Sequence, residues 1–180
     1  IYQIGFYLNF NVSFKINKPS SINAELSSPY ISMITNDRYK LNCLISLTAL
    51  INLSIIEGQK LKNIYNISNN FILIMFNNKK WFQDYCIYLF KLLKIIGYEI
   101  DYFNNRRTKY FDLNKLEFTQ TQTNNTILFP HNLLYKKNIN LKVIEVSQIF
   151  KIFESVFLKN HLSNFNLYLP NQYLLFKQLV

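Results

Sequence analysis

An α+β domain, with helices packed on one side of a mostly antiparallel sheet, is the fold the sequence predicts. Three observations lead to it. Runs with helical spacing alternate with short runs rich in Phe and Ile that have the length of strands. The helical runs open after Asn, Asp or Ser, and the first two close at glycine, residues suited to helix ends. The chain has 180 residues, enough for one mixed core and no domain split.

The elements follow in chain order. "FYLNFNVSFKI" alternates in part and predicts a strand or extended arm, and "NKPSSINAELSSP" reads as a loop. "YISMIT" predicts a short strand, Tyr30 to Thr35. Asn36 or Asp37 then caps a helix from Tyr39 to about Glu57, on which Leu41, Leu44, Ile45, Ile51 and Ile55 recur at helical spacing. Gly58 stands where a left-handed residue closes such a helix, so it is read as the C-terminal cap. "FILIMF", Phe71 to Phe76, is a continuous apolar run and predicts a strand buried on both faces. Asn78 caps a second helix with Trp81, Tyr85, Tyr88, Leu89, Leu92 and Ile96 on one face, and Gly97 ends it. The stretch from Tyr98 to Phe129 predicts a strand or two around an exposed loop, closed by Pro130. Another strand is expected from Ile139 to Val146. Ser147 then caps a third helix that presents Ile149, Ile152, Phe153, Val156 and Phe157. The tail "YLPNQYLLFKQLV" is too apolar to float freely and is expected to pack on a neighbour.

Composition narrows the function. Asn, Ile, Lys, Phe and Tyr crowd out Ala, Gly, Pro and Arg, the drift that an AT-rich genome imposes, which points to an organelle, a parasite or a protist. The 20 Lys+Arg against 10 Asp+Glu give a formal charge of +10, a field that attracts polyanions. Cys43 and Cys86 lie in apolar helical patterns, with no Cys/His spacing that suggests zinc or a disulfide framework. The apolar runs are too short and too interrupted to span a bilayer. The first residues lack the character of a transit peptide, and the first is not Met, which fits a matured or truncated chain or a gene inside the organelle.

Catalytic constellations are hard to find. His131 and His161 are the only histidines, and neither stands near a Cys or Ser in a nucleophile context. Glu99 and Asp101 should share a face, but solvated or Lys-paired acids explain them. No phosphate-binding glycine motif and no cofactor signature is present. Basic residues do cluster, at Lys60 and Lys62, at Lys79 and Lys80, at Arg106, Arg107 and Lys109, and at Lys136 and Lys137. Cations at the ends of elements can neutralise phosphates, which sets affinity without reading sequence.

The order of motifs resembles the large-subunit ribosomal protein L-five family. "IIEGQK" resembles its Gly-Gln-Lys-Pro after the first long helix, and "FILIMFNNKKWFQDYCIYLFKLLKI" its strand, Arg-Gly turn and aromatic-led helix. "KYFDL" is similar to a Ser-Phe-Asp element, "TILFP" to an Ile-Phe-Pro element, and "NINLKVIEVS" to the strand before the last helix. The resemblance covers residues 29–160, leaving 1–28 as an N-terminal extension or arm and 161–180 as a C-terminal extension.

The resemblance implies a protein of the central protuberance that binds 5S or large-subunit ribosomal RNA beside neighbouring ribosomal proteins. Gln59 and Lys60, with Lys62 and Asn63, resemble the family's RNA-facing edge, and Lys79 and Lys80 occupy the turn before the second helix. Arg106, Arg107, Lys109, Lys136 and Lys137 enter on charge alone. Leu61 replaces the family's Pro, Asn77 and Asn78 replace Arg-Gly, and His131 stands where an acid is usual. "KNIYNISNN" is nine residues where the family carries a longer basic arm toward peptidyl-site transfer RNA, so that partner enters only as far as this shorter connection reaches.

The expected role is therefore structural, in the large subunit of a mitochondrial ribosome or of one in a plastid-type organelle, with no catalysis and no cofactor. A membrane-associated or accessory subunit of an organellar complex is the second expectation, from the apolar content of 49%. An RNA-modifying enzyme is the third.

Overall fold

The computed structural model describes residues 7–28, 30–56, 58–135 and 141–180. The chain is α+β, as the sequence predicts, with 52% of residues in helices and 14% in antiparallel sheets, so helices form the bulk of the core. The sheet residues divide into a two-stranded and a three-stranded sheet.

The first sheet is a hairpin of β1 (Tyr7–Ser13) and β2 (Ser21–Ser28), so the Ser-rich stretch expected as loop supplies a strand. Its register places Phe10 opposite Ala24 and Val12 opposite Ile22, while Asn9 faces Glu25 and Asn11 faces Asn23. One face is thus apolar and the other polar. Phe10, Ile22 and Leu26 remain exposed, as do Phe14 and Ile16 at the tip. The base is tied to the helical body by Tyr7, whose hydroxyl donates to Asn69 Oδ1 and accepts from Tyr65 at 3.3 Å.

Residues Tyr30–Met33 form a 3-10 turn rather than the expected strand. Ile31 and Ile34 stand three apart, a helical spacing, and Ile34 is buried. Asp37 then caps α1 (Arg38–Ser54), its Oδ1 accepting from the Tyr39 and Lys40 amides, each at 3.1 Å. Such a cap typically contributes about 1 kcal/mol.

The helix ends earlier than expected. Ile55 is extended at the C-terminal cap, and the carbonyl of Leu53 accepts from His161 Nε2 at 2.8 Å. Gly58 therefore does not cap α1. Its φ of +79° serves a separate turn closed by the Gln59 amide donating to Ile56 O at 3.0 Å. Glu57, the expected last residue of the helix, lies outside the described residues.

The largest departure is α2 (Ile64–Asn77), which absorbs the expected strand Phe71 to Phe76. A short apolar run does not distinguish a strand from a buried helix turn. What decides it here is the longer pattern through Ile64, Ile67, Ser68, Phe71 and Met75, spaced for one helical face. Phe71, Met75 and Ser68 are buried, whereas Leu73 and Ile74 are partly in water. Asn78 Oδ1 accepts from the Lys80 amide at 2.9 Å in the turn that leads to α3 (Trp81–Ile95).

α3 is the central helix. Its predicted face is buried, but so are Gln83, Cys86, Phe90 and Leu93, as expected of a helix enclosed nearly all round. Phe71 of α2 packs on Tyr85 and Tyr88 with ring centroids 5.8 and 5.2 Å away. The buried phenols find partners: Tyr85 Oη lies 3.3 Å from Ser46 Oγ and Tyr88 Oη 3.0 Å from Ser68 Oγ. Burial pushes the Tyr88 hydroxyl up to about 12, so it stays protonated. Gly97 ends the helix as expected, at φ +94°. The Gly97 amide donates to Lys94 O and the Tyr98 amide to Leu93 O, the pair of bonds that defines a Schellman motif.

The second sheet has β3 (Tyr110–Asp112) between β4 (Glu117–Thr119) and β5 (Thr126–Leu128). Phe111 faces Phe118 on one side and Ile127 on the other, and Phe129 carries the sheet onto Phe90 of α3 at 6.1 Å. A short helix α4 (His131–Tyr135) follows and is held to α3 by Gln83 Nε2 donating to Leu133 O at 2.8 Å.

α5 (Val143–Val156) starts one turn before Ser147, so Ser147 is an interior exposed residue, not a cap. The strand expected up to Val146 is therefore replaced by helix from Val143 onward, and its first residues lie outside the described ones. The face predicted for this helix is buried at all five positions, Ile149, Ile152, Phe153, Val156 and Phe157. A π-helical turn, Phe157–His161, and a 3-10 turn, Leu162–Phe165, lead to α6 (Asn171–Leu179). The neighbour the tail packs on is the chain itself. Phe176 meets Tyr85 edge-on at 5.0 Å, and Glu154 accepts from Tyr173 Oη at 3.0 Å and Lys177 Nζ at 2.6 Å.

Asp112 shows how a loop is held between β3 and β4. Its Oδ1 accepts from the Lys115 and Asn114 amides at 2.9 and 2.8 Å, while Lys159 Nζ donates to Leu113 O at 2.8 Å. The Lys115 amide first, then the Asn114 amide and the nearby lysines, outweigh partial burial and hold the carboxyl below its ordinary 3.8. A depressed native value contributes stability that is complete above the unfolded value and is lost as pH falls through the native one. Asp112→Asn is therefore expected to flatten the decline of the urea midpoint on acidification below about pH 4, relative to the parent, with less change near neutrality.

Candidate nucleic-acid interface

The basic residues selected from sequence lie on separate connections between elements. Gln59, Lys60, Lys62 and Asn63 are exposed on the connection between α1 and α2, where Asn63 adopts a left-handed φ of +68°. Lys79 and Lys80 are exposed at the opposite end of α2, roughly 21 Å away along the axis from helical rise alone. Lys136 and Lys137 lie outside the described residues.

Arg106, Arg107 and Lys109 are exposed on the loop between α3 and β3, and here the structure adds rings to charge. The Arg106 guanidinium lies 4.7 Å from the ring centroid of Tyr135 and 5.7 Å from that of Phe103. Tyr102 stacks on Phe103 at 4.7 Å with planes 28° apart, and Phe103 meets Tyr135 edge-on at 5.7 Å. Arg106 thus sits beside a cluster of rings, with Arg107 and Lys109 following on the same exposed loop.

The loop is tied down at several points. Asp101 Oδ2 accepts from Asn104 Nδ2 at 2.6 Å and its Oδ1 from the Asn104 amide at 3.2 Å. These bonds, the side-chain one first, hold the Asp101 carboxyl below its ordinary value. Asn105 Nδ2 donates to Asp101 O at 2.7 Å, Tyr135 Oη to Tyr102 O at 2.5 Å, and His131 Nε2 to Thr108 O at 2.8 Å. Because a carbonyl only accepts, His131 carries its proton on Nε2. From the next strand pair Gln120 Nε2 donates to Arg107 O at 3.3 Å.

The acids near this loop are occupied elsewhere. Glu99 pairs with Lys94 at 2.5 Å, and among the described residues the ion pairs use Lys94, Lys115 and Lys177 rather than either arginine. The expected Glu99 and Asp101 pair is therefore a lysine-paired acid beside an amide-bound one. Among the described residues no group of three or more His, Cys, Asp or Glu could hold a metal ion. None of the helices there is long and apolar enough to cross a membrane.

Phe103 and Tyr135 are the residues that sequence reasoning misses. "DYFNNRR" does carry a local signal, an aromatic pair just before two arginines, but attention to charge alone passes over it. Tyr135 has no such signal, because its closeness to Arg106 arises only when α4 folds back onto the loop. No protein-family profile matches the chain, and no curated protein or solved structure is significantly similar to it.

Proposed function

We propose that the chain is a structural RNA-binding protein of an organellar, mitochondrial large ribosomal subunit, and that its work is binding rather than catalysis. The observation that carries the reading is the arginine loop on a chain of charge +10, where Arg106 stands against aromatic rings, Arg107 is exposed next to it, and neither forms an ion pair among the described residues. Phosphate contacts from such cations position a protein on RNA, and neighbouring rings suit exposed bases.

The resemblance to ribosomal protein L-five contributes as well. Two of its elements, "KYFDL" and "TILFP", include β3 and β5, which pair directly with Phe111 opposite Ile127. The helical conformation of Phe71 to Phe76 departs from the family's strand, so the reading rests on the arginine loop first. Gln59, Lys60, Lys62 and Asn63, together with Lys79 and Lys80, then serve as separate backbone contacts to the same RNA. Neighbouring large-subunit proteins and 5S or large-subunit ribosomal RNA are the proposed partners.

The test is binding of the purified chain to 5S RNA and to large-subunit RNA fragments across a salt series. Affinity is expected to fall steeply with salt, and Arg107→Ala with Lys109→Ala together should weaken it and reduce the salt slope by about two. Tagged chain should co-sediment with the large subunit. Recovery only in fractions free of ribosomal RNA, with no salt-dependent RNA binding in vitro, would sink the reading.

A further inference from the structure

Phe103 keeps 57% of its surface in water although Tyr102 stacks on it. A ring covered on both faces could not retain that exposure, so part of it remains open to a third planar group. Exposed aromatic side chains in loops are ordinarily free to reorient, and a ligand that uses one must order it. Here the backbone on either side of Phe103 is fixed in advance, the Asn104 amide donating to Asp101 Oδ1 and the Tyr102 carbonyl accepting from Tyr135 Oη. Arg106 is likewise held against Tyr135.

Aromatic rings and guanidinium planes are the two protein surfaces on which nucleobases stack. A base inside a helix has both faces taken by its neighbours, so it cannot reach Phe103 without leaving the stack. A flat cation such as Arg106 beside an open ring, with further cations one and three residues on, therefore fits a nucleotide whose base is free and whose phosphate lies close by.

We propose that the loop of residues 101–109 receives one unpaired nucleotide of the RNA, a bulge, loop or end, with its base stacked on Phe103 and Arg106 and its phosphate met by Arg107 and Lys109. The inference rests on the RNA-binding reading above, and it adds single-stranded character and a defined ring to a surface otherwise marked by charge. Because every base offers a π-face, the site is tolerant of base identity.

The test titrates the full chain against three labelled RNAs: a fully paired hairpin, the same hairpin with one bulged nucleotide, and the same with an abasic bulge. The bulged RNA is expected to bind most tightly, and the abasic one to lose the gain. Phe103→Ala should weaken binding of the bulged RNA by about 5- to 150-fold and leave the paired hairpin unchanged. Arg107→Ala should weaken both alike. Phe103→Trp should retain the preference, and its fluorescence should be quenched by the bulged RNA but not by the abasic one, with the sole native tryptophan, Trp81, buried.

Equal affinity of the parent for bulged and paired RNA, with no effect of Phe103→Ala, overturns the inference while the RNA-binding reading stands. Equal weakening of both RNAs by Phe103→Ala overturns it in the same way. Absence of salt-dependent binding to any of the three overturns both.

Discussion

Phe176→Ala is expected to lower the free energy of unfolding by about 3–5 kcal/mol, a large part of the total for a chain of this size. Phe176 has no measurable exposure and lies edge-on to Tyr85, against Phe82 at 6.2 Å and Trp81 at 6.3 Å. Removing the ring empties a space bounded by residues of the central helix, whose backbone cannot close in without disturbing its contacts with α1, α2 and α5. Urea denaturation followed by far-UV circular dichroism measures the loss. A decrease below about 1 kcal/mol would mean that α6 is peripheral, as a dispensable C-terminal extension would be.

The second expected result is a loss of about 1–3 kcal/mol for His161→Leu, measured in the same way. The substitution keeps an apolar side chain but removes the Nε2 donor from Leu53 O, one of the carbonyls left without a partner at the end of α1. The stacking of His161 on Phe157, 5.2 Å between centroids, is forfeited with it. His161→Gln, which restores a donor of similar reach, should recover part of the loss. If Leu and Gln variants are equally destabilised, packing of the ring rather than the hydrogen bond closes α1.

These two contacts mark the boundary of what a sequence reveals. The faces of α3 and α5 are legible: every residue assigned to them is buried, and Asp37 and Gly97 do what their chemistry suggests. Asn78, by contrast, bonds the Lys80 amide in the turn and leaves Lys80 at the cap of α3, and on α1 only Leu44 of the expected face is buried. Short runs mislead. "FILIMF" carries no period of its own, and its helical state follows from Ile64 and Ile67 before it and from the α3 face it meets. "YISMIT" and Ser147 mislead similarly, because a short window does not show the spacing of their neighbours.

The site is legible to the same extent. Charge locates Arg106, Arg107 and Lys109, because a run of cations in an exposed turn is a local fact. The Tyr135 ring is hidden, since it reaches Arg106 only through α4, and α4 takes its place from a Gln83 side chain in another helix. Gly58 does take the positive φ that its residue type suggests, yet it does not stop α1. The true stop depends on His161, which no local window contains.

Cys43 and Cys86 give the packing of α1 against α3 an observable of its own. Both thiols are free and without measurable exposure, and burial pushes the Cys86 thiol up to about 12, so neither presents a thiolate to solvent. A water-soluble disulfide reagent can modify them only when those helices separate. The rate of labelling therefore counts openings of the central interface one molecule at a time, and comparison with global unfolding tells whether the centre of this chain breathes before it melts.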